Sequence, residues 1–239
     1  DPHSAGIRRK GVLLFRLLQK DWSLELDILK VDPWVEVDLL QKVAVKGGMI
    51  QVSVDLQYSV ENAGIRNLRM VLPENAESIR FFGDYVGDSL RAEDANAEAG
   101  EWEIRLNRRI FGPYRLQIVY RIPVAEQDQN GMRSIQGIRL KNINLQKGYL
   151  TLESEGRLEI RIPTLPEALK PTEWQSIPTP LRQITKTRES SFTYRIAAPD
   201  FTLPIEIVRH EAADILPAQI TATSLTSVIS ENRSEEHQS

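Results

Sequence analysis

Cysteine is absent from the 239 residues of this chain. That excludes disulfides, thiolate nucleophiles and Cys-based zinc or iron–sulfur sites, so stability must come from packing. Histidine is scarce, with three copies at His3, His210 and His237, and no His-x-x-x-His or clustered His/carboxylate spacing suggests a metal site. Charge of one sign is missing too: 30 Lys and Arg face 33 Asp and Glu, a net charge of -3. Without a basic excess to neutralise phosphates, nucleic acid is not an expected partner. No apolar run approaches the ~20 residues of a membrane span. The longest runs from Val12 to Leu18 and is broken by Arg16. Glycine-rich phosphate loops are also lacking. Gly83 and Gly87 flank Asp84-Tyr85-Val86 with no helical segment after them, so no nucleotide cofactor is predicted.

What is present points to strands. Hydrophobic residues make up 41% and charged residues 26%, a composition that folds. Ile50, Val52, Val54, Leu56, Tyr58 and Val60 alternate with polar residues, the pattern of a half-buried strand. The same period recurs at Leu24 to Ile28, Trp102 to Leu106, Tyr114 to Ile122, Leu158 to Ile162 and Phe192 to Ile196. Half-polar alternation favours antiparallel pairing, since a buried parallel strand is apolar on both faces. Gly47-Gly48, Asn62-Ala63-Gly64, Phe111-Gly112-Pro113 and Glu155-Gly156 carry turn chemistry between these runs and predict strand-to-strand turns. A helical period is hard to find, the best stretches being Thr164 to Leu169 and Arg209 to Leu216. The expected fold is all-β, an antiparallel β-sandwich with about a dozen strands and very little helix, either immunoglobulin-like, a larger sandwich, or two packed sandwiches.

The chain starts at Asp1, without an initiator Met or signal peptide, and reads as a mature or excised fragment whose anchor or export signal lies elsewhere. Leu24, Leu26 and Ile28 after Trp22 are echoed by Leu203, Ile205 and Ile207 after Phe201, each set followed by a proline. Tandem modules and coincidence between two amphipathic strands both account for that echo. The expected division is an N-terminal segment over 1–19, a sandwich half over 20–124 and a second β-rich half over 125–208 packed on it. A linker and first strand of a following module (209–229) and a disordered polar tail (230–239) complete it.

Candidate chemistry is thin. His210, in Arg209-His210-Glu211, could act as a general base, but no Ser lies in a glycine elbow to serve as nucleophile, and a surface histidine accounts for it. Glu126, Asp128, Asn130 and Gly131 are spaced like the start of a calcium loop yet lack a terminal bidentate acid. Glu93, Asp94, Asn96 and Glu98 form a second acidic loop of the same kind. Asp84 and Asp88 could pair as the acid and base of a glycosidase, with nothing else in support. Of four tryptophans, Trp22, Trp34 and Trp102 sit in strand patterns and should face the core. Trp174, in a loop holding five prolines between Pro163 and Pro180, either anchors a ligand or pins that loop to the sheet. No catalytic, cofactor-binding or metal residue is assigned.

The run from Val52 through Tyr58 and Gly64 to Pro73 resembles strands of large, repetitive bacterial cell-envelope proteins. Leu203 to Glu211, followed by Leu216-Pro217 and Leu225 to Ser230, is similar to the junctions between their modules. The stretch from Asn62 to Pro73 also resembles, more faintly, β domains of the vault/inter-α-trypsin type. The resemblance implies a non-enzymatic structural or interaction module of a larger envelope or exported protein, outside the cytoplasm. Its expected partners are other modules of the same polypeptide or another envelope protein. The alternatives are a carbohydrate- or calcium-binding sandwich, and an accessory domain of an enzyme whose catalytic part lies outside this chain.

Overall fold

A computed structural model describes residues 23, 25, 29–92, 97–124, 131–184 and 192–210. The chain divides into two units, Asp1–Asp32 and Pro33–Ser239, and the architecture below is that of the second. The expected segments 1–19 and 230–239 lie outside the described residues, as does 209–229 apart from Arg209 and His210.

The fold is all-β. Twelve strands run in chain order: β1 (Trp34–Lys46), β2 (Met49–Val71), β3 (Glu77–Gly83), β4 (Val86–Arg91), β5 (Glu101–Pro123), β6 (Gly131–Gln136), β7 (Arg139–Lys141), β8 (Leu145–Ser154), β9 (Leu158–Arg161), β10 (Leu169–Pro171), β11 (Phe192–Ile196) and β12 (Thr202–Arg209). Helix among the described residues is confined to α1 (Thr179–Ile184) and a 3-10 turn at Trp174–Ser176. The stretch from Thr164 to Leu169 is not helical and leads into β10, its proline at 166 breaking the ladder a helix needs. Among the described residues no helix is long and apolar enough to cross a membrane.

Nine strands form one sheet in the order β10-β11-β8-β1-β2-β5-β3, with β4 on the far half of β5 and β7 on the far half of β2. A second sheet has the order β6-β12-β9. Strands from either side of residue 124 therefore share the larger sheet, through β8 beside β1 and β7 beside β2. Pairing among the described strands is antiparallel except between β1 and β8, which run parallel from Glu36↔Leu145 to Val45↔Ser154. This corrects the expectation of antiparallel pairing alone. Alternation reports which face of a strand is buried, whereas direction follows from the connection that delivers its neighbour.

Alternation does set the faces. Val35, Val37, Leu39, Val43 and Val45 of β1 are buried, as are Ile50, Val52, Val54, Leu56, Tyr58 and Val60 of β2 and Tyr114, Leu116, Ile118 and Tyr120 of β5. They join Ile135, Ile160, Leu203, Ile205 and Ile207 of the smaller sheet in one hydrophobic cluster. On the opposite face Leu40 lies under Ile177 and Leu181, with Trp174 and Tyr149 packed at the margin. Trp174 thus pins its proline-rich loop, by stacking that loop on the back of β1. Beside this patch, buried Asp55 accepts a hydrogen bond from Gln117 at 2.9 Å and sits 3.3 Å from the Lys42 ammonium.

Two expected turns are absent. Gly47-Gly48 does turn β1 into β2, but β2 and β5 each run unbroken for 23 residues through Asn62-Ala63-Gly64 and Phe111-Gly112-Pro113. Those positions are paired bulges. Glu61 to Gly64 lie opposite only Phe111, after which Leu106 to Arg109 lie opposite only Arg66. The two shifts cancel, so Asn67 meets Arg105 in the same register that Val60 keeps with Gly112. Asn62 and Gly112 hold φ of 65° and 81°, the left-handed backbone that a bulge uses as readily as a turn does. Glu155-Gly156 is a turn, but it carries the chain from β8 in the large sheet to β9 in the small one instead of closing a hairpin.

Candidate functional site

The paired bulges open a cleft of about 340 Å³ beside the β3–β4 turn. Its base is apolar, formed by Ile110 and Tyr114, both largely buried. Tyr85, Phe111 and Pro113 flank it, and Gln57, Asp84, Arg108 and Arg115 supply its polar groups. A regular ladder would alternate these side chains across the two faces of the sheet. A bulge re-aims them, and here it brings Arg108 of β5 onto the turn between β3 and β4.

That turn is held from several directions. Tyr85 adopts a φ of 64°, an unusual backbone for an aromatic residue. Its carbonyl accepts a hydrogen bond from the Asn107 N–H at 2.8 Å, and the Arg108 guanidinium sits 3.5 Å above its ring centroid. The Tyr114 hydroxyl donates to the Asp84 carbonyl at 2.7 Å. Burial, with the nearby Asp84 charge, pushes the Tyr114 phenol up to about 12, so it stays a proton donor at any physiological pH. Gly83 lets the turn approach this closely, since a Cβ there would fall 2.8 Å from both the Arg115 carbonyl and the Tyr114 hydroxyl. The result is a Tyr85–Arg108 cation–π pair on a hydrogen-bonded turn, with Tyr85 41% and Phe111 61% exposed.

Several charges elsewhere on the large sheet pair with one another. Beyond the bulges, Glu103 accepts from Arg69 at 2.7 Å and from Arg105 at 2.9 Å, and Lys141 lies 2.8 Å from both Glu98 and Glu101. Arg139 pairs with Glu98 and with Asp200. The Lys141 ammonium holds the Glu98 and Glu101 carboxyls below the usual carboxylate range, and the Arg105 guanidinium, with Arg69, does so for Glu103. Arg108, Arg109 and Arg115 stand apart from this ladder. No carboxylate among the described residues lies within ion-pair distance of them.

The residues singled out in the sequence are scattered. His210 follows β12 on the surface, where its Nε2 is 2.7 Å from Glu159, whose carboxylate also binds Arg161. Asp84 lines the cleft, whereas the Asp88 carboxylate accepts its neighbour Ser89's N–H at 3.0 Å. Gly83 and Gly87 belong to β3 and β4. Trp102 packs against the core and lies tilted against Phe81, with centroids 5.5 Å apart and ring planes at 50°. Trp34 corrects the expectation of a core-facing tryptophan: it is 44% exposed at the first position of β1 and donates its indole N–H to Glu36 at 3.0 Å. Trp22, Glu93, Asp94, Asn96, Glu126, Asp128 and Asn130 lie outside the described residues, while Glu98 is in the ion-pair ladder and Gly131 starts β6. Among the described residues no group of three or more His, Asp or Glu could hold a metal ion.

Sequence reasoning missed Tyr85, Arg108, Phe111 and Arg115. The one available signal was the Arg108-Arg109-Ile110-Phe111-Gly112-Pro113 run, where a large aromatic residue sits among arginines at an expected turn. No protein-family model matches the chain, and no curated protein matches it. Among solved structures, the yeast LTA4 hydrolase in complex with bestatin is similar at 12% identity and a TM-score of 0.33, covering 73% of this chain and 28% of that one. An M1 zinc metallopeptidase from Deinococcus radiodurans is similar at 12% identity and a TM-score of 0.34, covering 73% of this chain and 42% of that one. The chain thus spans less than half the length of either protein.

Proposed function

We propose that this chain is a non-catalytic β-sandwich module through which a larger bacterial envelope or exported protein makes a protein contact. In this reading the nine-stranded and three-stranded sheets are the two layers of the sandwich, closed over the core they share. The carrying observation is the cleft at the bulges, where exposed Tyr85 and Phe111 stand beside Arg108 on a held turn. Aromatic and arginine side chains supply most interface anchors, and rigid ones lose little entropy on binding. The strand-pattern resemblance to envelope proteins supports the location, and other modules of the same polypeptide or another envelope protein are the partners it favours.

Crosslinking in cells tests the reading. A photo-reactive amino acid in place of Phe111 of the full-length protein should give a discrete protein adduct in the envelope fraction. The same amino acid in place of Arg195, an exposed residue of β11 on another part of the sheet, should not. Identical adducts from both positions, or none from Phe111, would overturn it.

A further inference from the structure

We infer that the cleft at the paired bulges docks an acidic peptide segment of the partner protein, an inference that rests on the interaction reading above. Arg108 and Arg115 both line the cleft, and neither has a carboxylate partner among the described residues. Arg69, Arg105, Arg139 and Arg161 each pair with a nearby acid, whereas Arg80, Arg121 and Arg195, like Arg108 and Arg115, have no such partner among the described residues; what distinguishes Arg108 and Arg115 is that they share one cleft. The chain as a whole is acidic, at -3, so two unpaired guanidiniums converging on one cleft are a local reversal of its charge.

The geometry favours carboxylates. The cation–π contact of the Arg108 guanidinium with Tyr85, 3.5 Å from its ring centroid, occupies the face of the guanidinium, so its N–H groups can serve a bidentate acceptor. The Gln57 amide can bond a peptide backbone at the same cleft, and Phe111 and Pro113 offer apolar contact to a side chain lying between two acids. A space of about 340 Å³ takes two or three side chains of an extended segment and is too small for a nucleic-acid duplex. Asp84, the one acid in the lining, sits on the β3–β4 turn and sets the side from which a carboxylate is repelled. The occupant is therefore a short stretch with acids flanking an apolar residue.

Fluorescence anisotropy with the intact chain tests this. The probe is a labelled peptide carrying glutamates on both sides of a central leucine, and its control has glutamine at every glutamate. The glutamate peptide should bind saturably, with affinity falling as salt rises, and the glutamine peptide should bind at least about tenfold more weakly. Arg115→Gln and Arg108→Gln should each weaken the glutamate peptide about tenfold. The Arg115→Gln melting curve should match the wild type, because among the described residues that side chain has no ion pair to lose. Phe111→Ser should weaken both peptides. No saturable binding, equal affinity for the two peptides, indifference to both arginine changes, or tighter binding of a single-stranded oligonucleotide would each overturn the inference. A Phe111 crosslink in cells without peptide binding would leave the interaction reading standing and remove only the acidic partner, whereas loss of the crosslink removes both.

Discussion

Lysine placed at Val54 and at Ser53, two adjacent residues of β2, should change stability by very different amounts. Val54 is wholly buried between Gln41 of β1 and Ile118 of β5. Losing its apolar burial costs about 2 kcal/mol. A lysine there must keep a charge in the core or lose its proton. Pulling its pKa down by roughly 3–5 units, at about 1.4 kcal/mol each, costs about 4–7 kcal/mol. Together these approach the roughly 5–15 kcal/mol that holds a typical domain folded. Ser53 is half-buried on the other face, opposite Lys42 and Val119, and a like charge there costs less than about 1 kcal/mol. Urea unfolding followed by far-UV circular dichroism should find Val54→Lys largely unfolded without denaturant and Ser53→Lys near the wild-type midpoint. Val54→Thr grades the effect, because it keeps the volume and buries a hydroxyl, at about 1–3 kcal/mol. Equal losses from the two lysines would refute the assignment of faces on which the register rests.

Gly112→Ala should lower stability by roughly 1 kcal/mol through backbone strain alone, since its φ is 81° and nothing lies within 4 Å of an added Cβ. Gly83→Ala should cost more, because the Arg115 carbonyl lies 2.8 Å from its Cβ position, and thermal unfolding of the pair checks the order. Acidification should destabilise the chain below pH 4.5, the ordinary value from which Glu98, Glu101 and Glu103 are lowered. Their folded carboxyls take up protons later than the unfolded ones, so this stability is present above that pH and lost as pH falls through the folded values. Lys141→Met removes the largest cause for Glu98 and Glu101 and should flatten the fall between pH 6 and pH 3, read as urea midpoints. Leu181→Ala should cost about 2–4 kcal/mol and speed proteolysis within the 174–184 segment, because Leu181 is fully buried over Leu40. Unchanged cleavage would mean that the segment is held by other contacts.

Much of the sheet was legible because period two is a direct consequence of the pleat. Each of Ile50, Val52, Val54, Leu56, Tyr58 and Val60 is buried, as their alternation requires. Strand direction was not legible, since β1 presents the same alternation to its antiparallel neighbour β2 and its parallel neighbour β8. Asn62-Ala63-Gly64 and Phe111-Gly112-Pro113 were misread for a related reason: positive φ suits a bulge as well as a hairpin. A signal did exist. The apolar residues keep their even-numbered parity across both sites, from Val60 to Leu68 and Met70, and from Ile104 and Leu106 to Tyr114 and Leu116. Trp34 was misread because its parity is that of Glu36 and Asp38, the outward face of β1, whereas Val35, Val37 and Leu39 are the buried set. The cleft was beyond reach, since Gln57, Asp84-Tyr85 and Arg108 to Arg115 meet only after the shifts are known.

The preserved parity also explains why there are two bulges. A slip of one residue sends every later side chain to the opposite face, so a single uncompensated shift would turn Leu68, Met70, Ile104 and Leu106 away from the core. With the extra residues of β2 answered by extra residues of β5, the sheet regains its register at Asn67↔Arg105 and its apolar face continues beyond the bulges. Between the two shifts only Ile65 and Ile110 keep a ladder pair. There Arg109 and Phe111 keep the outward parity of β5, and Arg108 departs from the inward parity of Leu106 and Ile110 to face outward. A pair of cancelling bulges is thus a means of inserting a short surface of unrestricted chemistry into the middle of two long buried strands. On this chain that surface is aromatic and cationic, while the sheet beyond it is closed by a ladder of paired charges. What sets the bulges apart is that Arg108 and Arg115 line one cleft there together with Tyr85 and Phe111.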